Sequence, residues 1–119
     1  MHAGEEVAFV APDAPLKDVI IAMTRRPLGG ACVVAGDRSL AGFITDGDLR
    51  RALTNHADIR GLRAADAMTR TPVTIGPEAS LGEALERMER RQSQISVLPV
   101  VDGDGRALGL IRLHDIYLG

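Results

Sequence analysis

Apolar positions along the chain change period several times, and each change predicts an element. Leu16, Val19, Ile20 and Met23 fall at i, i+3, i+4 and i+7, the single buried stripe of a helix. Leu81, Ala84, Leu85 and Met88 repeat that spacing. Short Val-rich runs at residues 31–34 and 97–101 read as strands. Each is followed by hairpin residues, Ala35-Gly36-Asp37-Arg38 or Asp102-Gly103-Asp104-Gly105, so residues 40–44 and 107–111 are expected to return antiparallel. Short extended segments, Val7-Ala8-Phe9-Val10 and Pro72-Val73-Thr74-Ile75, open the two halves. A further helix is expected from just after Thr45 through Leu53, with a counterpart starting near Leu113. Ser80 with Glu83 forms a capping box, and Pro15 suits the first turn of the other helix.

The pattern is one unit written twice. Residues 12–23 realign on residues 77–88, and residues 40–48 on residues 107–115; the second shift is larger by two. Each copy reads β-α-β-β-α, which gives a mixed α/β (α+β) fold of tandem repeats. Neither copy could bury a sheet alone, so the two should pack about a pseudo-twofold axis with related clefts between them. The expected organisation is a first repeat at residues 1–54, a linker at 55–67 and a second repeat at 68–119. Ile59, Leu62 and the 64–68 stretch suggest a short packed helix in the linker. The final helix has barely begun at Gly119, and nothing like the linker precedes Met1. These ends suggest an excerpt of a longer protein whose missing part is N-terminal.

Composition narrows the function. The 119 residues suffice for one compact domain, and 45% apolar with 25% charged content is ordinary for a soluble one. A net charge of −2, no Trp, one Tyr and two Phe argue against nucleic acid as a partner. No run approaches the ~18 apolar residues of a membrane span, and no signal-peptide pattern opens the chain. A cytoplasmic setting without a membrane is expected. Cys32, in the apolar run Ala31-Cys32-Val33-Val34, reads as a small buried hydrophobe. Lys17 is the single lysine; the other basic residues are arginines, whose planar forks suit phosphate or carboxylate.

The most informative local motif is Gly42-Phe43-Ile44-Thr45-Asp46-Gly47-Asp48-Leu49-Arg50-Arg51. A strand glycine permits close approach of a neighbour or ligand. Thr45 stands where a helix begins, and unpaired N–H groups there favour an anion. Asp48, one turn in, can accept from a pair of sugar hydroxyls. Thr45-x-x-Asp48 is also a plain capping box. In the second copy Gly109 and Asp115 match Gly42 and Asp48, but Arg112 replaces Thr45. Arg112 can reach an anion with a bidentate fork, so the two clefts should differ. His114 is a weaker candidate beside Asp115. Asp102-Gly103-Asp104-Gly105 imitates a calcium loop, but Arg106 and Leu113 occupy ligand positions, and a hairpin turn is expected. Arg25-Arg26 and Arg90-Arg91 close equivalent helices; one of them is a candidate phosphate contact. No nucleophile, metal set or paired acid and base stands out, so neither a catalytic nor a metal residue is assigned.

The repeated unit with its Gly-hydrophobic-hydrophobic-Thr/Ser-x-x-Asp ending resembles a cystathionine-β-synthase (CBS) domain pair, the Bateman module. That resemblance implies an adenine nucleotide or related ligand between the repeats, with Asp48 and Asp115 on ribose and Thr45 near phosphate. It also implies a homodimer formed through the helices. Met1-His2-Ala3-Gly4-Glu5-Glu6, the motif around Thr45 and the terminal Leu113-His114-Asp115-Ile116 are similar to the regulatory region of bacterial arabinose 5-phosphate isomerases. The implied function is a non-catalytic sensor covalently attached to the isomerase. No cofactor is required, and the candidate ligands are AMP, ATP or the nucleotide-sugar CMP-Kdo. Two alternatives stand beside it: a structural dimerisation module with empty clefts, and the CBS pair of a nucleotidyltransferase.

Overall fold

A computed structural model describes residues 2–70, 72–78, 80, 82–83, 86 and 97–112. Most of the expected second-copy helix, and the segment with His114 and Asp115, lie outside the described residues. Six strands, three α-helices and a 3-10 turn (Gly4–Glu6) are described: β1 (His2–Ala3), β2 (Ala8–Val10), α1 (Leu16–Arg25), β3 (Gly30–Val34), β4 (Leu40–Thr45), α2 (Asp46–Asn55), α3 (Ala64–Ala67), β5 (Val97–Val101) and β6 (Ala107–Arg112). The result is a mixed α/β domain with two three-stranded sheets, ordered β2-β3-β4 and β1-β6-β5. No helix among the described residues is long and apolar enough to cross a membrane.

The two hairpins follow the Val-rich runs and turn residues read from sequence. β3 pairs antiparallel with β4, and β5 with β6; both ladders shift register just before the turn, at Val33/Val34 and Val100/Val101. Cys32 and Phe43 of the first sheet meet Val97, Ala107 and Leu110 of the second in a shared core. The opposite face of the first sheet, through Ala31, Val33 and Ile44, packs on Leu16, Val19 and Met23 of α1 and on Ala52 of α2. The same face of the second sheet clusters Leu98, Val100 and Ile111 with Ile75. Each copy thus gives one sheet face to its partner copy.

The copies meet about a twofold relation at the hairpins. Leu40 N–H donates to the Gly105 carbonyl (2.9 Å), and its repeat equivalent Ala107 N–H donates to the Arg38 carbonyl (3.0 Å). Gly105 has φ +81° and its equivalent Arg38 has φ +73°, a left-handed backbone that costs a residue with a side chain.

Three features depart from the sequence expectation. The leading segment of each copy crosses to the other copy: β1 pairs with β6, His2 opposite Leu110 and Ala3 opposite Gly109. Symmetrically, Thr69 exchanges both backbone hydrogen bonds with Phe43 (2.9 and 3.0 Å). The expected strand at residues 72–75 reduces to a parallel bridge between Ile75 and Val100. Here β5 carries Pro99 where β3 carries Cys32, and proline has no N–H to extend a ladder. Pro15 is also displaced: it is the N-cap of α1, with extended ψ of 141°, instead of sitting inside the first turn. Its carbonyl accepts from Asp18 and Val19, while Leu16 N–H goes to Leu62 of the linker (2.9 Å). The linker is docked further by Ala64 N–H to Ala14 and Ala65 N–H to Pro12, with Ala64 buried.

Candidate functional site

The junction of β4 and α2 gathers the strongest candidates. β4 ends on Thr45, opposite Gly30 in the ladder, and Asp46 starts the helix. Thr45 keeps an extended backbone (φ −101°, ψ 169°), the geometry of an N-cap. Its Oγ1 accepts from Asp48 N–H (3.2 Å), and Asp48 Oδ2 accepts from Thr45 N–H (2.9 Å) and from Thr45 Oγ1–H (3.1 Å). Asp48 Oδ1 is ion-paired with Arg51 Nη2 one turn along. Asp48 is only 7% exposed, and it is the one buried charged residue among those described. The carboxylate is therefore held at the mouth of the helix, where first-turn N–H groups and the helix dipole favour negative charge. Asp46 N–H is directed to the Gly29 carbonyl (3.3 Å), which ties the segment before β3 to the same mouth.

The expected glycine acquires a packing reason. A Cβ at Gly42 would run into Met68 Sδ and approach the Thr69 carbonyl to 2.9 Å. Gly109 holds the equivalent place, opposite Ala3 of the crossing strand, and its carbonyl lies 4.0 Å from Cys32 Sγ. Both glycines lie where the leading segment of the other copy crosses. Arg112 closes β6 opposite Val97, as Thr45 closes β4 opposite Gly30, and it is half-buried. His114 and Asp115 fall outside the described residues, so their relation to Arg112 is not described.

A second feature lies along β2, the edge strand of its sheet among the described residues. A cavity of about 440 Å³ is lined by Glu5, Val7, Phe9, Ala22, Arg26 and Arg38 among others. Arg26 Nε donates to the Glu5 carbonyl (2.7 Å), and the Arg38 guanidinium stacks 4.5 Å over the Phe9 ring. Two guanidinium groups and an aromatic face suit a flat or anionic ligand. Thr45 and Asp48 do not line this cavity. Arg26 was a candidate from sequence as a helix-closing cation. Arg38 was missed, and its one signal was an arginine standing where the other copy has Gly105.

The remaining candidates behave as hydrophobic or turn residues. Cys32 is buried between the sheets, and burial pushes its thiol up to about 12, against a smaller lowering by Arg38. It is an inert core residue under ordinary conditions. Asp102 Oδ1 accepts from the N–H groups of Asp104 (2.8 Å) and Arg106 (3.0 Å), a hairpin turn and not a calcium loop. No cluster of His, Cys, Asp and Glu among the described residues could hold a metal. Ser80 Oγ accepts from Glu83 N–H (3.1 Å), one half of the expected capping box.

Similarity to known proteins agrees with this geometry. The CBS domain model matches twice, at residues 3–55 and 64–118. The chain is 38% identical over 116 residues to the arabinose 5-phosphate isomerase KdsD of Yersinia pestis, and 39% identical over 116 residues to that of Pseudomonas aeruginosa. In both cases 98% of this chain is covered, but the chain spans only about a third of the relative, 34% and 35%. Among solved structures, CBSX2 of Arabidopsis thaliana in complex with AMP superposes with a TM-score of 0.81 at 21% identity, covering 99% of this chain and 90% of that one. A CBS domain-containing protein of Bacillus anthracis gives 0.84 at 18% identity, with 99% and 86% covered. With two matched copies that span nearly the whole chain and two sheets packed through one face each, the chain belongs to the CBS domain family and is a tandem CBS pair.

Proposed function

We propose that this chain is the regulatory part of an arabinose 5-phosphate isomerase and that it binds a nucleotide or nucleotide-sugar between its two repeats. The observation that carries the reading is Asp48, a buried carboxylate fixed at the mouth of a helix beside Thr45. A carboxylate there can hold a ribose diol, while the helix N-terminus receives an anionic group. The KdsD relatives support attachment to the isomerase over attachment to a nucleotidyltransferase. The neighbour solved with AMP supports an adenine nucleotide. Arg112, in the place of Thr45, favours an additional carboxylate in the other cleft and so supports CMP-Kdo as the alternative ligand. Asp115, His114 and Gly109 complete the second site in this reading, and Gly42 the first. The module itself catalyses nothing, requires no cofactor and acts in the cytoplasm. Ligand alters the isomerase only as far as it binds two arrangements of the repeats with different affinity.

A thermal-shift screen against AMP, ADP, ATP, CMP and CMP-Kdo tests the reading. Ligand at about 100 times its dissociation constant adds about 2.7 kcal/mol of stability, which is readily seen in a domain of this size. A selective rise that Asp48→Asn removes supports it. Flat melting for every compound from a folded protein favours the second reading, a dimerisation module. That second reading draws on Ile21 of α1 and Leu53 of α2, which are 40% and 52% exposed and offer apolar surface for pairing through helices.

A further inference from the structure

We propose that Arg51 sets the ligand preference of the first cleft, holding Asp48 when the cleft is empty and moving to the ligand's anionic group when a sugar diol takes the carboxylate. The inference rests on the nucleotide reading above and adds a residue and a selectivity to it. It comes from counting acceptor capacity. An ionised carboxylate offers about four lone-pair directions. Asp48 Oδ2 already serves Thr45 N–H and Thr45 Oγ1–H, and Oδ1 serves Arg51 Nη2. A vicinal diol donates two hydrogen bonds, so one present partner has to leave. The Thr45 N–H is backbone, fixed between β4 and α2, and Thr45 Oγ1 is held in place by accepting from Asp48 N–H, which keeps its hydroxyl beside Oδ2. Arg51 is the partner free to go: its side chain is 68% exposed, while Asp48 is 7% exposed.

Where the guanidinium goes follows from its position. Arg51 lies over the first turn of α2, close enough that its Nη1 would stand 3.7 Å from a Cβ at Gly47. It therefore remains beside the helix mouth after release. A phosphate or carboxylate received there regains the charge-assisted bond that Asp48 gave up. A neutral nucleoside breaks the ion pair and puts nothing in its place. The arrangement thus discriminates for phosphorylated or carboxylated sugars and against nucleosides sharing the same ribose.

Calorimetric titration of the full chain with AMP and with adenosine, and with CMP and cytidine, tests this directly. In the unaltered protein the phosphorylated member of the preferred pair binds more tightly. Arg51→Ala is expected to weaken that nucleotide by about ten- to a hundredfold, the range of a hydrogen bond to a charged group, while its nucleoside binds unchanged or several-fold more tightly. Arg51→Lys, which keeps a positive charge without the fork, should fall between. A melting curve for each variant confirms the fold. Equal weakening of nucleotide and nucleoside, or no change in either, overturns the role of Arg51 and leaves nucleotide binding standing. No binding of these four compounds by the unaltered protein, together with flat melting against ADP, ATP and CMP-Kdo, overturns the nucleotide reading and this inference with it.

Discussion

Asp48 answers to two demands, and they compete in any mutational test. It closes the capping box of α2 and is buried, so its loss is a stability event as well as a binding event. Asp48→Ala leaves Thr45 N–H without its acceptor and should lower stability by about 1–2 kcal/mol, seen as a fall of several degrees in Tm. Asp48→Asn keeps an oxygen for that N–H and should cost less, yet still remove the charge that a ribose diol and Arg51 share. Thr45→Ser should be close to neutral, and Thr45→Ala should cost about 1 kcal/mol. A set in which Asp48→Asn destabilises as much as Asp48→Ala would show that charge, and not capping geometry, holds the junction. The sequence shows Thr45 and Asp48 at capping spacing because capping is local. Helix spacing also places Arg51, at i+3, beside Asp48 while Arg50, at i+2, faces away; that Asp48 is buried is not legible there, because only the fold covers it.

Strands and helices were legible where the pattern is local and lost where it is not. The Val-rich run at residues 97–101 coincides with β5, because it is continuously apolar and a Gly-containing turn bounds it on one side. β1 has two residues and no period of its own; it exists because β6 offers it an edge from the far end of the chain. The weak strand at residues 72–75 failed for a reason placed elsewhere in the sequence, at Pro99. The glycine of the site motif was legible as a point of close approach, but what approaches is Met68 and Thr69 of the crossing segment. Gly42→Ala should therefore loosen the contact between the crossing segment and β4, at about 1–3 kcal/mol of overpacking cost. Gly36, where an added Cβ meets nothing within 4 Å, is the control and should tolerate alanine with little change. Chemical denaturation of both variants measures the difference, and equal losses would remove the close-approach explanation.

At the scale of the whole molecule, Cys32 reports on the packing of one copy against the other. It lies in the core shared by both sheets, beside Gly109 of the second copy. Burial raises its thiol from 9.0 to about 12, so the folded state disfavours the thiolate that the unfolded chain forms freely. The folded pKa is the higher one. The contribution to stability is therefore whole below about pH 9 and is lost as pH climbs from 9 towards 12. The difference in unfolding free energy between the protein and Cys32→Ala should be flat up to pH 9 and shrink above it. The same burial makes thiol labelling at neutral pH proceed through an opened state in which the copies have parted. If ligand sits between the copies, it binds the closed state and not the opened one. The labelling rate should then fall by the factor 1 + [L]/Kd, in step with the rise in melting free energy. A ligand that raises Tm while leaving the labelling rate unchanged would bind away from the opening that exposes Cys32. A rate that falls in parallel with stability ties the bound ligand to the contact between repeats, the contact through which an attached domain could sense it.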